Sequence, residues 1–310
     1  MIKTVFFGTP DICLPTLKTL HQNPHIQLDF IVSMPPRKAG RGMKMKDPPV
    51  ALFAKDQNIP LLQTNGINKE EEFLSQLEKE GLDLIVVFAF SQFLSSRILS
   101  LPKWGCFNIH TSLLPKYRGA APIQYALLNG DTQTGVSIQK MVKKMDAGDI
   151  ALSKTVPIHR EDNGSSLYEK LKEESALAMD SFVDQITSDS LPLTPQDEAH
   201  ASFAPTLSKR DGHLQFASHT LVEIENRLRA FDPWPGTFCY LNKKLLKVFE
   251  LAPAPSHSSL SPGECSAKHG FLLVGAKDQT VRLKTVQLEG KKVCSDTELL
   301  NGFRHKIHLS

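Results

Sequence analysis

Asn108 and His110 stand one residue apart at the end of a short apolar run, Cys106-Phe107-Asn108-Ile109-His110. Side chains alternate faces along an extended strand, so these two project on the same side, one step apart. A neutral amide donor beside an imidazole, at the mouth of a strand, suits a site that polarises a carbonyl and moves a proton. Downstream, Met145-Asp146-Ala147-Gly148-Asp149 offers the Asp146 carboxylate on a glycine-containing turn. Asn108, His110 and Asp146 are therefore the candidate catalytic set. A lone histidine after a strand is more often a satisfied polar corner. Three features favour chemistry here: mixed donor and acid–base types, a strand's carboxyl end, and the stiff turn Ser112-Leu113-Leu114-Pro115, which would hold a ligand pocket open.

The elements that must position this set read as alternating strands and helices. Ile2–Phe7 is a short buried strand, and Thr9-Pro10-Asp11 opens a helix to about Leu20. Gln27–Ser33 is a second strand, followed by a long Pro-, Gly- and Lys-rich loop from Met34 to Pro49. Lys69–Glu80 is a charged amphipathic helix. Leu82–Phe90 is a continuous apolar run, as expected of a central parallel strand covered on both faces. Strands over Gly105–Ile109, Thr134–Met141 and Ile150–Ile158 and a long helix from Ser165 to Ile186 complete the set. This alternation predicts an α/β, Rossmann-like doubly wound parallel sheet, whose ligands sit outside the carboxyl ends of the strands. The first turn is Gly8-Thr9-Pro10, not Gly-x-Gly-x-x-Gly, which argues against a dinucleotide.

The character changes near residue 190, where a Pro-rich, unpatterned stretch reads as a linker. Beyond a helix at Thr220–Arg229, short β-type runs between turn residues predict a small C-terminal β-barrel of OB-like type. The expected organisation is thus 1–189 for the catalytic domain, 190–208 for the linker and 209–310 for the barrel.

The 310 residues suffice for two domains with a sizeable core. No apolar run is long enough to span a membrane, and the first residues read as a strand rather than a signal peptide. Five dispersed cysteines without Cys-x-x-Cys spacing argue for a reducing, cytoplasmic setting and against disulfides or zinc. His305 and His308 have helical spacing but no partner ligand nearby, so no metal is expected. The net charge of +3 is uneven. Residues 206–310 carry 15 Lys and Arg against 10 Asp and Glu, and the rest carries 21 against 23. A basic C-terminal third on a slightly acidic body suits either a solvated face or contact with a polyanion.

Longer stretches are recognisable. His110-Thr111-Ser112-Leu113-Leu114-Pro115-Lys116-Tyr117-Arg118-Gly119-Ala120-Ala121-Pro122-Ile123-Gln124 resembles the signature of the 10-formyltetrahydrofolate-dependent formyltransferases. Phe7-Gly8-Thr9-Pro10, Ala39-Gly40-Arg41-Gly42, Thr134-Gly135-Val136-Ser137-Ile138 and Asp146-Ala147-Gly148-Asp149 also match. Arg229-Ala230-Phe231-Asp232-Pro233-Trp234-Pro235-Gly236-Thr237 resembles the hallmark of the branch that acts on initiator tRNA. The match runs in order over essentially the whole chain.

The resemblance implies transfer of a formyl group from 10-formyltetrahydrofolate to the α-amine of methionine on initiator tRNA, for translation initiation. It makes Asn108, His110 and Asp146 the catalytic set and Ser112, Leu113, Leu114 and Pro115 part of the folate site. Phe88, Ala89 and Phe90, at the end of the central strand, should line the same pocket; the family often has Tyr where this chain has Phe90. The 35–46 loop carries five basic residues, Arg37, Lys38, Arg41, Lys44 and Lys46, and is expected to meet tRNA phosphates near the acceptor end. Lys243, Lys244 and Lys247, on or beside predicted strands of the barrel, are expected to track the tRNA backbone. The partners implied are initiator tRNA and folate, with no membrane or metal and a monomer by default. A related formyltransferase acting on a small amine, a nucleotide sugar or glycinamide ribonucleotide, would share the N-terminal site without needing the basic loop or barrel. An RNA-binding protein with a vestigial catalytic domain would not need an intact Asn108, His110 and Asp146.

Overall fold

A computed structural model describes residues 1–310 apart from 41, 189, 268–269, 303–306 and 310. The chain divides into two compact units, one of residues 1–122, 133–158 and 168–205, the other of 123–132, 159–167 and 206–310.

The first unit is built on a seven-stranded sheet. In chain order its elements are β1 (Ile2–Gly8), α1 (Leu14–Gln22), β2 (Ile26–Ser33), β3 (Arg37–Ala39), β4 (Lys44–Lys46), α2 (Pro49–Asp56), β5 (Leu61–Gln63), α3 (Glu71–Glu80), β6 (Leu84–Phe88), α4 (Ser96–Ser100) and β7 (Cys106–His110). Then come β8 (Arg118–Gly119), β9 (Gln133–Lys140), β10 (Ile150–Pro157), α6 (Gly164–Thr187) and β11 (Phe203–Ala204); α5 (Pro122–Leu128), between β8 and β9 in the chain, falls almost wholly in the second unit. The sheet order is β10-β9-β7-β6-β1-β2-β5. From β5 to β7 every pair is parallel, while β9 runs antiparallel to β7 and β10 antiparallel to β9. β9 and β10 are joined by the 141–149 turn, so the Asp146 motif sits at a hairpin end rather than on a crossover.

Strand alternation assigns the two faces. Val5, Ile85 and Cys106 share a register row and pack with Leu74 and Leu77 of α3 and Ile98 of α4 in one apolar cluster. Phe6, Val86 and Phe107 share the next row, and Phe107 meets Phe182 of α6 at 4.8 Å between ring centres. All five residues of β6 are buried, as its unbroken apolar run requires.

The 34–49 stretch, expected to be loop throughout, contains the two-stranded hairpin β3–β4, with Arg37 opposite Lys46 and Lys38 opposite Met45. Its Gly- and Lys-rich composition hides the pairing, because both strands are short and exposed. The 190–205 stretch is ordered within the first unit. Thr194 bridges Ile150 through bonds of 2.8 and 2.9 Å, and β11 pairs in parallel with β8.

The second unit contains α7 (Leu221–Ala230), β12 (Phe238–Leu241), β13 (Lys244–Pro253), β14 (Cys265–Ser266), β15 (Leu273–Gly275), β16 (Thr280–Leu288), β17 (Cys294–Ser295) and α8 (Asp296–Leu300). The sheet runs β12-β13-β16-β15-β14, with β17 on β16, and every pair is antiparallel. Irregularities around Glu250 bend β13, and the sheet curls into a half-barrel over a core that includes Leu246, Val248, Leu283 and Val286. Asn242 and Lys243, at φ 48° and 68°, make the two-residue turn between β12 and β13. None of the five cysteines is in a disulfide. No helix among the described residues is long and apolar enough to cross a membrane.

Candidate active site

β7 delivers Asn108 and His110 to one face beside β9. Asn108 pairs with Gln139 and His110 with Ser137 across the antiparallel ladder, so four polar side chains share that face at the end of an apolar sheet. His110 is buried and Asn108 half-buried. The Asn108 side-chain amide has no hydrogen-bond partner among the described residues. A half-buried amide with no protein partner is available to donate to a group that enters the site.

The His110 ring is oriented by Nε2, which lies 2.8 Å from the Tyr117 carbonyl oxygen. A carbonyl can only accept, so Nε2 carries the proton. Nδ1 then presents its lone pair toward Asp146, whose Oδ2 is 3.9 Å away. Asp146 occupies a left-handed conformation, φ 49°, and its carboxylate is held at both oxygens. The Gly119 N–H donates to Oδ2 at 2.8 Å, and Gln139 Nε2 donates to Oδ1 at 3.0 Å. Gly119 has φ 119°, and a Cβ there would come within 2.7 Å of the Ala204 carbonyl, so a larger residue would displace the donor.

The Ser112–Pro115 turn lies next to this set. Ser137 Oγ donates to the Ser112 carbonyl at 2.7 Å and accepts from the Leu114 N–H at 3.1 Å. Ser112 Oγ donates to the Lys116 carbonyl at 2.6 Å, which leaves it no base and no nucleophilic role. Leu114–Pro115 is cis. Leu113 and Pro115 are half-buried, so the turn offers an apolar surface together with backbone groups.

The end of β6 differs from expectation. Ala89 turns the chain at φ 48° and is exposed, while Phe88 and Phe90 are buried. Phe90 packs 5.1 Å from Phe7 in the core. Of the expected pocket lining, only Ala89 and the backbone face outward, because the left-handed turn at Ala89 sends the bulkier ring of Phe90 back under the sheet.

Sequence patterning missed a second layer around Asp146. Arg118 is fully buried and binds Glu198 through two bonds of 3.0 and 3.1 Å. It also donates to Gln196 Oε1 at 2.8 and 3.1 Å. Gln196 Nε2 reaches the carbonyls of Asp146 and Gly148 at 2.9 and 2.7 Å. Bonds from Arg118 and then Lys144 hold the Glu198 carboxyl down to about 2. Alternation could have flagged Gln139, a polar residue two positions from Ser137, whereas Gln196 lies in a stretch without periodicity. Cys106, two residues before Asn108, is not a nucleophile: burial pushes its thiol up to about 12, against a small opposing effect of Lys140.

Arg37, Lys38, Lys44 and Lys46 are exposed on the β3–β4 hairpin, with no carboxylate partner among the described residues. Arg41 lies outside the described residues. In the second unit Lys243, Lys244 and Lys247 are exposed at and beside the β12–β13 turn. No group of three His, Cys, Asp or Glu among the described residues could hold a metal ion.

Comparison with known proteins covers both units. Residues 2–182 match the family described as formyl transferase, and residues 206–304 match the formyl transferase C-terminal domain. The methionyl-tRNA formyltransferase of Geobacter sulfurreducens is 36% identical over 305 residues, covering 98% of this chain and 94% of that protein. That of Syntrophus aciditrophicus is 39% identical over 307 residues, covering 99% and 97%. Among solved structures, the N-formyltransferase from Helicobacter canadensis, in complex with folinic acid and dTDP-3-aminofucose, has a TM-score of 0.66 at 17% identity. It is matched over 94% of this chain and 100% of its own, a likeness of fold.

Proposed function

The chain belongs to the formyl transferase family, and from that premise we propose that it formylates the α-amine of methionine carried on initiator tRNA, with 10-formyltetrahydrofolate as donor. The observation that carries this reading is the full-length likeness to methionyl-tRNA formyltransferases at 36–39% identity, through both units. The unpaired basic hairpin agrees with a polyanionic substrate, which a small amine would not require.

The donor supplies a formyl carbon open to attack by a free amine. The Ser112–Pro115 turn and the exposed backbone at Ala89 are suited to hold its flat ring, with apolar surface beneath and backbone groups at the polar edge. The unpaired Asn108 amide donates to the formyl oxygen as charge develops on it. A donor placed in this way is worth roughly 3 kcal/mol, about a hundredfold in rate. His110 Nδ1 takes the proton shed by the attacking amine, and the resulting cation lies beside the Asp146 carboxylate. The new bond joins the amine nitrogen to the formyl carbon. The bond from that carbon to the folate nitrogen breaks, and the proton returns to the departing nitrogen. No residue is acylated.

The reacting groups lie within residues 1–189, 190–208 lead on to the second unit after packing against the first, and 209–310 supply affinity for the tRNA backbone through Lys243, Lys244 and Lys247. Arg37, Lys38, Arg41, Lys44 and Lys46 meet the acceptor end. The protein works as a cytoplasmic monomer and needs no metal. Formyl transfer to methionyl initiator tRNA, measured beside a nucleotide-sugar amine and glycinamide ribonucleotide, tests the reading. Formylation of the tRNA alone supports it; formylation of a small amine with the tRNA left untouched overturns it.

A further inference from the structure

We propose that Gln139 and Gln196 form a two-glutamine clamp that fixes the Asp146 turn, which makes the 190–205 arm part of the catalytic apparatus. The proposal rests on the reading of Asp146 as a catalytic group.

Three observations carry it. First, Gln139 touches both sides of the turn. Its Nε2 donates to Asp146 Oδ1 at 3.0 Å, and its Oε1 accepts from the Gly148 N–H at 3.0 Å. Second, Gln196 closes the turn from the other direction. Its Nε2 lies 2.9 Å from the Asp146 carbonyl, 2.7 Å from that of Gly148 and 3.3 Å from Gln139 Oε1. Third, Gln196 is itself held by a fully buried cation, since Arg118 donates to its Oε1 through Nε and an Nη.

The energetic logic follows from the backbone. Asp146 sits at φ 49°, in a sparsely populated left-handed region that Asp tolerates better than most non-glycine residues and that its surrounding bonds help to hold. Gly148 packs so closely on the Lys140 carbonyl that no side chain fits there. Away from Gly148 the turn is exposed or half-buried, so hydrogen bonds carry most of the task of keeping the carboxylate facing His110. A displacement of about 1 Å at a reacting group can cost a hundredfold in rate, so the clamp acts on turnover rather than on substrate affinity. Gln139 and Gln196 are positioning residues: they touch Asp146 and its turn, not the reacting atoms.

The arm enters by the same route. Thr194 is tied to Ile150, Ser202 Oγ accepts from the Tyr117 N–H at 2.9 Å, and the Ser202 carbonyl accepts from the Arg118 N–H at 2.8 Å. The arm thus braces both the Tyr117 segment that orients His110 and the turn that carries Asp146.

The test is a double-mutant cycle on the full chain, read as single-turnover formylation of methionyl initiator tRNA. Q139L and Q196L should each lower the single-turnover rate about tenfold or more, with KM for tRNA and folate changed less than about threefold. In a D146N background Q139L should have almost no further effect, because the group it positions is gone. A fold defect would instead lower the rate by the same factor in both backgrounds and depress Tm in step. Wild-type turnover of Q139L and Q196L, while D146N is strongly impaired, overturns the clamp and leaves the Asp146 reading intact. Wild-type turnover of D146N overturns that reading itself.

Discussion

The Tyr117 carbonyl accepts a hydrogen bond from His110 Nε2 at 2.8 Å, and this contact decides which ring nitrogen faces Asp146. With Nε2–H committed to the backbone, Nδ1 is the basic nitrogen of the ring, and it faces Asp146. The division of labour we propose rests on this contact: Asn108 holds the oxygen, and His110 moves the proton with Asp146 beside it.

Replacing His110 should therefore separate turnover from binding. H110A should lower kcat at least about a hundredfold while leaving tRNA affinity within about twofold, as read by filter binding. A change in affinity comparable to the change in turnover would show that the ring holds substrate rather than moving a proton.

The hairpin should act in the opposite way. Replacing Arg37, Lys38, Lys44 and Lys46 together by alanine should raise KM for tRNA and flatten its salt dependence. The log–log slope should fall by up to about one for each side chain that meets a phosphate. The single-turnover rate at saturating tRNA should change little. An unaltered salt slope would remove the hairpin from the tRNA surface.

Asp296 offers a stability prediction within the second unit. Its solvent-inaccessible carboxylate receives Arg282 at 2.7 and 2.8 Å and the Leu272 N–H at 2.9 Å, and Arg282 in turn lies over the Phe271 ring. Burial alone would raise the carboxyl, but Arg282 and the backbone donors outweigh it, so the folded value lies below the ordinary 3.8. A lowered carboxylate stabilises the fold fully above its unfolded value and loses that contribution as pH falls through the folded one. D296N should cost roughly 3 kcal/mol near neutral pH, measured by urea unfolding. The gap to wild type should close only as pH drops below 3.8. A gap that closes at higher pH would contradict the assignment.

Thiol chemistry gives a fourth outcome. Cys13, Cys106 and Cys239 are buried, and burial pushes each thiol up to about 12. In the native protein iodoacetamide should label the partly exposed Cys265 and Cys294 first, as mass spectrometry of the digested protein would show. Early labelling of Cys106, the first residue of β7, would mean that the sheet opens around that strand.

The parts of the site that lie on strands were legible in the sequence. The unbroken apolar run ending at Phe88 marks a strand buried on both faces, and alternation alone places Asn108 and His110 side by side. The rest depends on partners far along the chain. Gln196 acts some fifty residues from Asp146, in a Pro-rich stretch that local patterning reads as a linker because its order comes from Arg118 and Ser202 contacts. The β3–β4 hairpin is hidden by loop-like composition. Phe90 reads as the end of a pocket-lining strand, whereas one left-handed residue, Ala89, returns it to the core.

The most direct test of the central claim is single-turnover formylation of methionyl initiator tRNA with labelled 10-formyltetrahydrofolate, run on the wild type and N108A side by side. The expected result is N-formylated methionyl-tRNA from the wild type and a rate at least about a hundredfold lower from N108A, at unchanged tRNA affinity. A wild-type protein that leaves the methionyl-tRNA unformylated, or an N108A variant that matches the wild-type rate, would contradict it.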